Sequence, residues 1–161
     1  MPPDQQRFRE VMGRLACGVA VVTAEGPDGP AGLTTTAITS VSLEPLLLLA
    51  CLDRGSRTLP ALEAAGRFAV SLLREGQDDV ARVFASKRPM PEKFAAALHH
   101  PEDGVPVIDG ALAWLTCDVR ELLPGGDHVI AIGAVTALDA DPEGRPLLYF
   151  RGEFTGLHFG A

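Results

Sequence analysis

Thr34-Thr35-Thr36-Ala37-Ile38-Thr39-Ser40-Val41-Ser42 places six hydroxyl side chains in nine residues. The stretch follows Gly32-Leu33 and ends at Glu44-Pro45. From Ala31 to Ser42 small, hydroxyl and apolar side chains alternate, which puts Thr34, Thr36 and Ser40 on one face of a strand. A core strand would not carry so many hydroxyls, because each buried one needs a partner. Two readings stay open on these residues alone. The stretch is an exposed edge strand, or its hydroxyls and backbone amides bind a polar ring edge or a phosphate.

Working outward, Phe8, Val11, Met12 and Leu15 recur at i, i+3, i+4 and i+7, the apolar stripe of an amphipathic helix capped by Asp4 and stopped at Gly18. Val19–Ala24 is β-branched and apolar and reads as a strand, followed by a turn over Gly26–Pro30. Beyond Pro45, Leu46–Leu52 is a continuous apolar run suited to a strand buried on both sides. Thr58–Ala65 reads as a helix capped by Ser56 or Thr58 and ended by Gly66. Phe68–Leu73 is a strand, Asp78–Ala85 a helix, Pro89 and Pro91 mark a loop, and Glu92–His99 is a second short helix. Ala111–Leu122 and His128–Leu138 form a hairpin around the turn at 124–127. Leu147–Phe150 and Phe154–Phe159 close the chain. About six strands interrupted by short helices indicate an antiparallel barrel and not a βαβ array.

The chain of 161 residues suits one domain, 1–161, with 47% apolar and 22% charged residues. A formal charge of -7 argues against nucleic acid, whose binders carry a basic face. The basic cluster Lys87, Arg88 and Lys93 reads as a solvated loop. No run is long enough to cross a membrane and no secretion signal opens the chain, so the expected location is cytoplasmic. Cys17, Cys51 and Cys117 are too scattered for a disulfide framework or a zinc site, and Cys17 and Cys117 read as small core residues.

Three further places carry chemistry-bearing residues. Ser56-Arg57-Thr58 precedes a helix, where free N–H groups, a hydroxyl and a guanidinium suit an anion, though ordinary capping, the more common case, explains the hydroxyls without any ligand. His128 follows Gly125-Gly126-Asp127 at a strand start, where an imidazole beside an acid can meet a substrate or simply terminate a turn. Phe84 and Lys87, continued by Lys93-Phe94, either flank a nucleotide or pack helices. His99-His100 reads as exposed and lacks a third ligand. No dinucleotide-binding G-x-G-x-x-G, phosphate loop or nucleophile elbow is present.

In order and spacing these motifs resemble the flavin reductase family, the small reductase components of two-component flavin-dependent monooxygenases. The resemblance runs from Phe8 to Leu157. It rests on Phe8–Gly13 (FREVMG), Gly18–Thr23 (GVAVVT), Gly32–Thr34 with Ser40–Pro45, Ser56–Thr58, Gly125–His128 and Pro146–Tyr149 (PLLY). It implies a mainly β fold with short helices, a split antiparallel β-barrel, in a homodimer that binds FMN or FAD near the subunit interface. It implies that Thr34, Thr35, Thr36 and Ala37 approach the isoalloxazine and ribityl chain, and that Ser40, Val41 and Ser42 line the ring. Cys51 and Leu52 then end a strand against the flavin, with Cys51 a contact and not a nucleophile. Ser56, Arg57 and Thr58 hold the phosphate, Phe84 and the Lys87–Lys93 loop cover the nucleotide, and His128 and Tyr149 flank the nicotinamide.

Two departures stand out: Ala37 replaces a Ser common in the family, and Glu44-Pro45-Leu46 replaces Asp-Pro-Pro. The implied activity is hydride transfer from NADH or NADPH to the flavin, with the reduced flavin diffusing to a partner monooxygenase. Alternatives are a flavoprotein that keeps FMN tightly bound and reduces another acceptor, and a non-catalytic flavin- or haem-binding split-barrel module. The residues do not distinguish FMN from FAD or NADH from NADPH, nor name the oxygenase.

Overall fold

In the computed structural model, which describes residues 2–158, the hydroxyl stretch is not one strand but a corner between two. Helix α1 (Gln5–Met12) is capped by Asp4, whose carboxylate accepts from Arg7 N at 2.7 Å. The helix ends at Gly13, earlier than the expected stop at Gly18, and a short strand β1 (Cys17–Gly18) follows. Strand β2 (Ala20–Gly26) turns tightly into β3 (Gly29–Thr35); Gly29, at φ +104°, supplies a backbone that other residues rarely adopt. After the corner at 36–37 come β4 (Ile38–Leu43) and β5 (Leu46–Asp53). Thr34, Thr36 and Ser40 therefore do not share a face: they lie on β3, on the corner and on β4.

Helix α2 (Thr58–Ala65) is followed by β6 (Arg67–Leu72), α3 (Asp78–Ala85) and α4 (Met90–Ala95). The second short helix is thus shorter than expected. His99 belongs instead to β7 (His99–Glu102), which pairs with β8 (Val105–Ile108) across Pro101 and Pro106. Two long strands, β9 (Ala113–Gly125) and β10 (His128–Ala140), form the expected hairpin, and β11 (Leu148–Phe150) and β12 (Glu153–Thr155) complete the described elements. The expected closing strand is cut to β12, and Phe159 lies outside the described residues.

Seven strands form one antiparallel sheet in the order β3-β2-β6-β9-β10-β5-β4. Its edge strands, β3 and β4, are consecutive in the chain, so the sheet rolls until its ends meet at the corner. There Cys51 N donates to Ala37 O at 3.0 Å and Thr35 Oγ1 to Cys51 O at 3.4 Å. A corner, not a full ladder, joins the edges, which makes the fold a split antiparallel β-barrel. β1, β11 and β12 form a separate three-stranded sheet.

Alternation along the strands sorts side chains between two cores. Val22, Leu48, Ala50, Leu52, Leu62, Phe68, Val70 and Ala131 fill the barrel. Val19, just before β2, and Val21, on its outer face, pack under Ala81 and Phe84 of α3 and Phe94 of α4. β2 is therefore buried on both sides, with residues of α3 and α4 over its outside, and β6 and β8 are likewise buried at consecutive positions. β5 instead alternates: Leu48, Ala50 and Leu52 point inward, whereas Leu47, Leu49 and Cys51 are half-buried. Cys117 is buried as expected, but Cys17 is only half-buried. Among the described residues no helix is long and apolar enough to cross a membrane.

Candidate active site

A cleft of about 740 Å³ opens where β3, the end of β5, the start of α2, the loop after α3 and the start of β10 converge. Of the residues singled out in the sequence, Thr34, Thr35, Cys51, Ser56, Arg57, Thr58, Phe84, Lys87 and His128 line it. Thr36 and Ala37 at the corner and Ser40 on β4 line a second cavity of about 640 Å³ that also touches Cys17 and Leu49. Leu52 is turned into the barrel core, as the strand period demands once Cys51 and Asp53 face the cleft. Val41 and Ser42 sit further along β4, where a register shift between Ser40 and Ser42 marks a bulge. Tyr149 lies on the small sheet opposite Cys17, its ring 5.3 Å from that of Phe154.

Several hydroxyls in the cleft wall already have partners. Thr34 Oγ1 donates to Ala81 O at 2.7 Å, tying β3 to α3. Thr35 Oγ1 accepts from Ala37 N at 3.0 Å, bracing the corner. Ser56 Oγ accepts from Leu59 N at 3.2 Å and so caps α2. Arg57 Nη2 donates to Arg88 O at 2.6 Å and Lys87 O at 3.4 Å, which holds the loop after α3 against the start of α2.

Thr58 differs. Its residue is fully buried, and its Oγ1 has no hydrogen-bond partner among the described residues. Such an orphan costs about 1–3 kcal/mol unless something else satisfies it. Lys93 is the second anomaly. The solvated-loop reading of its sequence neighbourhood fails for it: the residue is only 4% exposed, and its Nζ donates to Phe84 O at 3.0 Å, a carbonyl in the last turn of α3. Desolvation first, and the nearby Arg57 charge second, hold this ammonium below the ordinary lysine range. Among the described residues no carboxylate pairs with it. A buried cation beside a second cation, an orphan hydroxyl and the N–H groups opening α2 together call for an anion, and a phosphate group fits that donor set.

His128 stands at the other side of the cleft mouth. Its Nδ1 lies 2.7 Å from Asp127 Oδ1. That hydrogen bond first, and the imidazole's charge second, hold the Asp127 carboxyl below its usual range. Burial pushes the Cys51 thiol up, so it stays protonated and unreactive in the cleft wall. Phe84 is buried edge-on to Phe94, with ring centroids 5.1 Å apart, so packing places it and its ring edge forms part of the wall. Sequence reasoning missed Asp53 and Gly55 as lining residues and gave Lys93 no individual role. A lysine on a short helix just after Pro89 and Pro91 carries no local signal that it points inward.

The chain resembles known proteins over most of its length. A family model described as "Flavin reductase like domain" matches residues 12–158. The chain is 41% identical over 157 residues to the flavin-dependent monooxygenase reductase subunit HsaB of Mycobacterium tuberculosis, covering 96% of this chain and 83% of that protein. It is 41% identical to a flavin reductase of Pseudomonas putida, covering 96% and 91%. The structure of the Streptomyces globisporus NADH:FAD oxidoreductase SgcE6 in complex with NAD and FAD fragments superposes with a TM-score of 0.91 at 36% identity, covering 99% and 95%.

Proposed function

The chain belongs to the flavin reductase family, and we propose that it is an NAD(P)H:flavin oxidoreductase working as one domain that supplies reduced FMN or FAD to a partner monooxygenase. A flavin held in this cleft would supply the hydride-accepting centre, and a reduced nicotinamide beside it would supply the hydride. The protein's share is to bind and orient, which requires no side-chain nucleophile.

The observation that carries this reading is the anion-seeking end of the cleft, where, among the described residues, the Thr58 hydroxyl has no hydrogen-bond partner and the buried Lys93 ammonium no carboxylate. There the Thr58 hydroxyl, the Lys93 ammonium and the opening N–H groups of α2 hold the flavin phosphate. Arg57 contributes its charge while its Nη2 secures the loop that walls the site. Thr34, Thr35 and the backbone toward Ala37 carry the chain onward to the corner, where Ser40, Val41 and Ser42 continue past the ring. Ala37 in place of a Ser removes one side-chain hydrogen bond to the flavin, and its own N and O are engaged by Thr35 and Cys51, which leaves the Thr36 hydroxyl at the corner. Phe84 and Lys87 border the nucleotide, and Cys51 and Leu52 back it, Leu52 through its main chain. His128 positions the nicotinamide, with Tyr149 on the far side of the corner.

The same reading makes the chain a cytoplasmic homodimer. Helix α1 buries none of its residues within its own chain, and Phe8, Val11, Met12 and Leu15 all stay exposed. Val41, Leu43 and Leu46 form a second apolar edge, with Leu43 82% exposed. A partner protomer across these surfaces covers them and closes the second cavity.

The test is His128→Ala. It is expected to lower nicotinamide-dependent flavin reduction while flavin affinity, followed by fluorescence titration, stays near wild type. Reduction kinetics unchanged by the substitution would remove His128 from the mechanism.

A further inference from the structure

Arg54 lies outside the cleft lining, yet it connects the two turns that frame the cleft's nicotinamide side. β5 and β10 pair in antiparallel register up to Asp53 opposite His128. The chain then leaves the sheet on both sides, into 54–57 after β5 and into the Gly126-Asp127 turn before β10. Arg54 bridges the gap twice. Its backbone N donates to Asp127 O at 3.0 Å, and its side-chain Nε donates to Gly126 O at 2.8 Å. Gly126 has φ +72°, so this peptide orientation belongs to a turn that only a few residue types adopt readily. The Asp53 carboxylate braces the other side by accepting from Gly55 N at 2.6 Å. Asp127 is exposed, and beyond His128 its carboxylate meets only its own backbone amide among the described residues.

We propose that Arg54 is a positioning residue for His128: by fixing the Gly126-Asp127 turn it aims the Asp127 carboxylate at Nδ1 and leaves Nε2 free for the cleft. A carboxylate only accepts, so Nδ1 donates to it and the neutral ring carries its proton there. Nε2 is then an acceptor, matched to a donor such as the carboxamide NH₂ of a nicotinamide. Without the clamp an exposed Asp127 side chain samples other rotamers, and the ring loses both its orientation and its preferred tautomer. The consequence for turnover rests on the placement of His128 beside the nicotinamide given above; the clamp itself does not.

The experiment compares wild type with Arg54→Ala, Arg54→Lys and Asp127→Asn. The His128 imidazole is read by ¹⁵N NMR in flavin-free protein, its signals identified by their loss in His128→Ala. The backbone bond from Arg54 N to Asp127 O survives every side-chain change, so the variants keep their fold. In wild type, His128 is expected as the Nδ1–H tautomer. Arg54→Ala and Asp127→Asn are expected to shift it toward Nε2–H and to raise the nicotinamide KM roughly tenfold, with flavin affinity unchanged. Arg54→Lys, which keeps a donor within reach of Gly126 O, is expected to recover most of both. An unaltered tautomer in Arg54→Ala would overturn the proposal, as would equal losses of thermal stability and flavin affinity in that variant. A shifted tautomer with unaltered nicotinamide kinetics would uphold the clamp and refute the placement of His128 beside the nicotinamide.

Discussion

Phe84 lies directly over Gly32, so close that a Cβ there would stand 2.8 Å from Phe84 Cε1 and 3.2 Å from Thr23 Cγ2. The glycine lets α3 settle on β3 and brings the Phe84 ring to the cleft wall. Because Phe84 is buried edge-on to Phe94, its ring has little room to yield. Gly32→Ala is expected to cost about 1–3 kcal/mol in urea unfolding and to weaken flavin binding as the wall moves. Wild-type stability and affinity together would show that the contact relaxes freely.

Thr58→Val separates stability from binding by sign. Removing a buried hydroxyl with no partner among the described residues is expected to leave the flavin-free protein as stable as wild type or more so. Losing a hydrogen bond to a charged phosphate, worth about 1.5–3 kcal/mol, is expected to weaken flavin affinity about ten- to a hundredfold. Destabilisation with intact affinity would mean that the hydroxyl serves the fold.

Cys117 gives a pH dependence of defined sign. Burial, and second the Asp118 charge, push its thiol from an ordinary 9.0 up to about 12. Between those values the unfolded chain has released this proton and the folded chain has not. Stability from this group is therefore complete below pH 9 and is lost as pH rises toward 12. Urea midpoints measured at about pH 8 and about pH 10.5 are expected to fall less in Cys117→Ala than in wild type. Parallel falls would contradict the assignment.

Leu43→Glu tests the dimer. With Leu43 82% exposed in one protomer, a charge there does not disturb the chain's own core. It is expected to convert a sedimenting dimer into a folded monomer. A variant that remains dimeric would place the interface elsewhere.

The sequence showed the helices α2 and α3 to the residue, because Gly66 at φ +65° and the apolar spacing of 78–85 are local signals. It also showed the long hairpin, whose Gly-Gly-Asp turn is equally local. What it hid was long-range. The split of the hydroxyl stretch into β3 and β4 depends on how a seven-stranded sheet rolls, and no spacing within 31–42 encodes that closure. The β7–β8 hairpin, in which Pro101 faces Pro106, has no alternating apolar pattern in 99–108 to announce it. At the site, the ordered motifs named the hydroxyls, Arg57 and His128. The inward turn of Lys93 and the clamp of Arg54 on Gly126 depend on partners 9 and 72 residues away.

The central claim is hydride transfer from a nicotinamide to a flavin taken from solution. Its most direct test is a steady-state assay of purified protein with NADH or NADPH crossed with FMN or FAD, following loss of the reduced-nicotinamide absorbance. The expected result is oxidation that saturates with added flavin in at least one pairing. Oxidation no faster than the uncatalysed rate in all four pairings would contradict it.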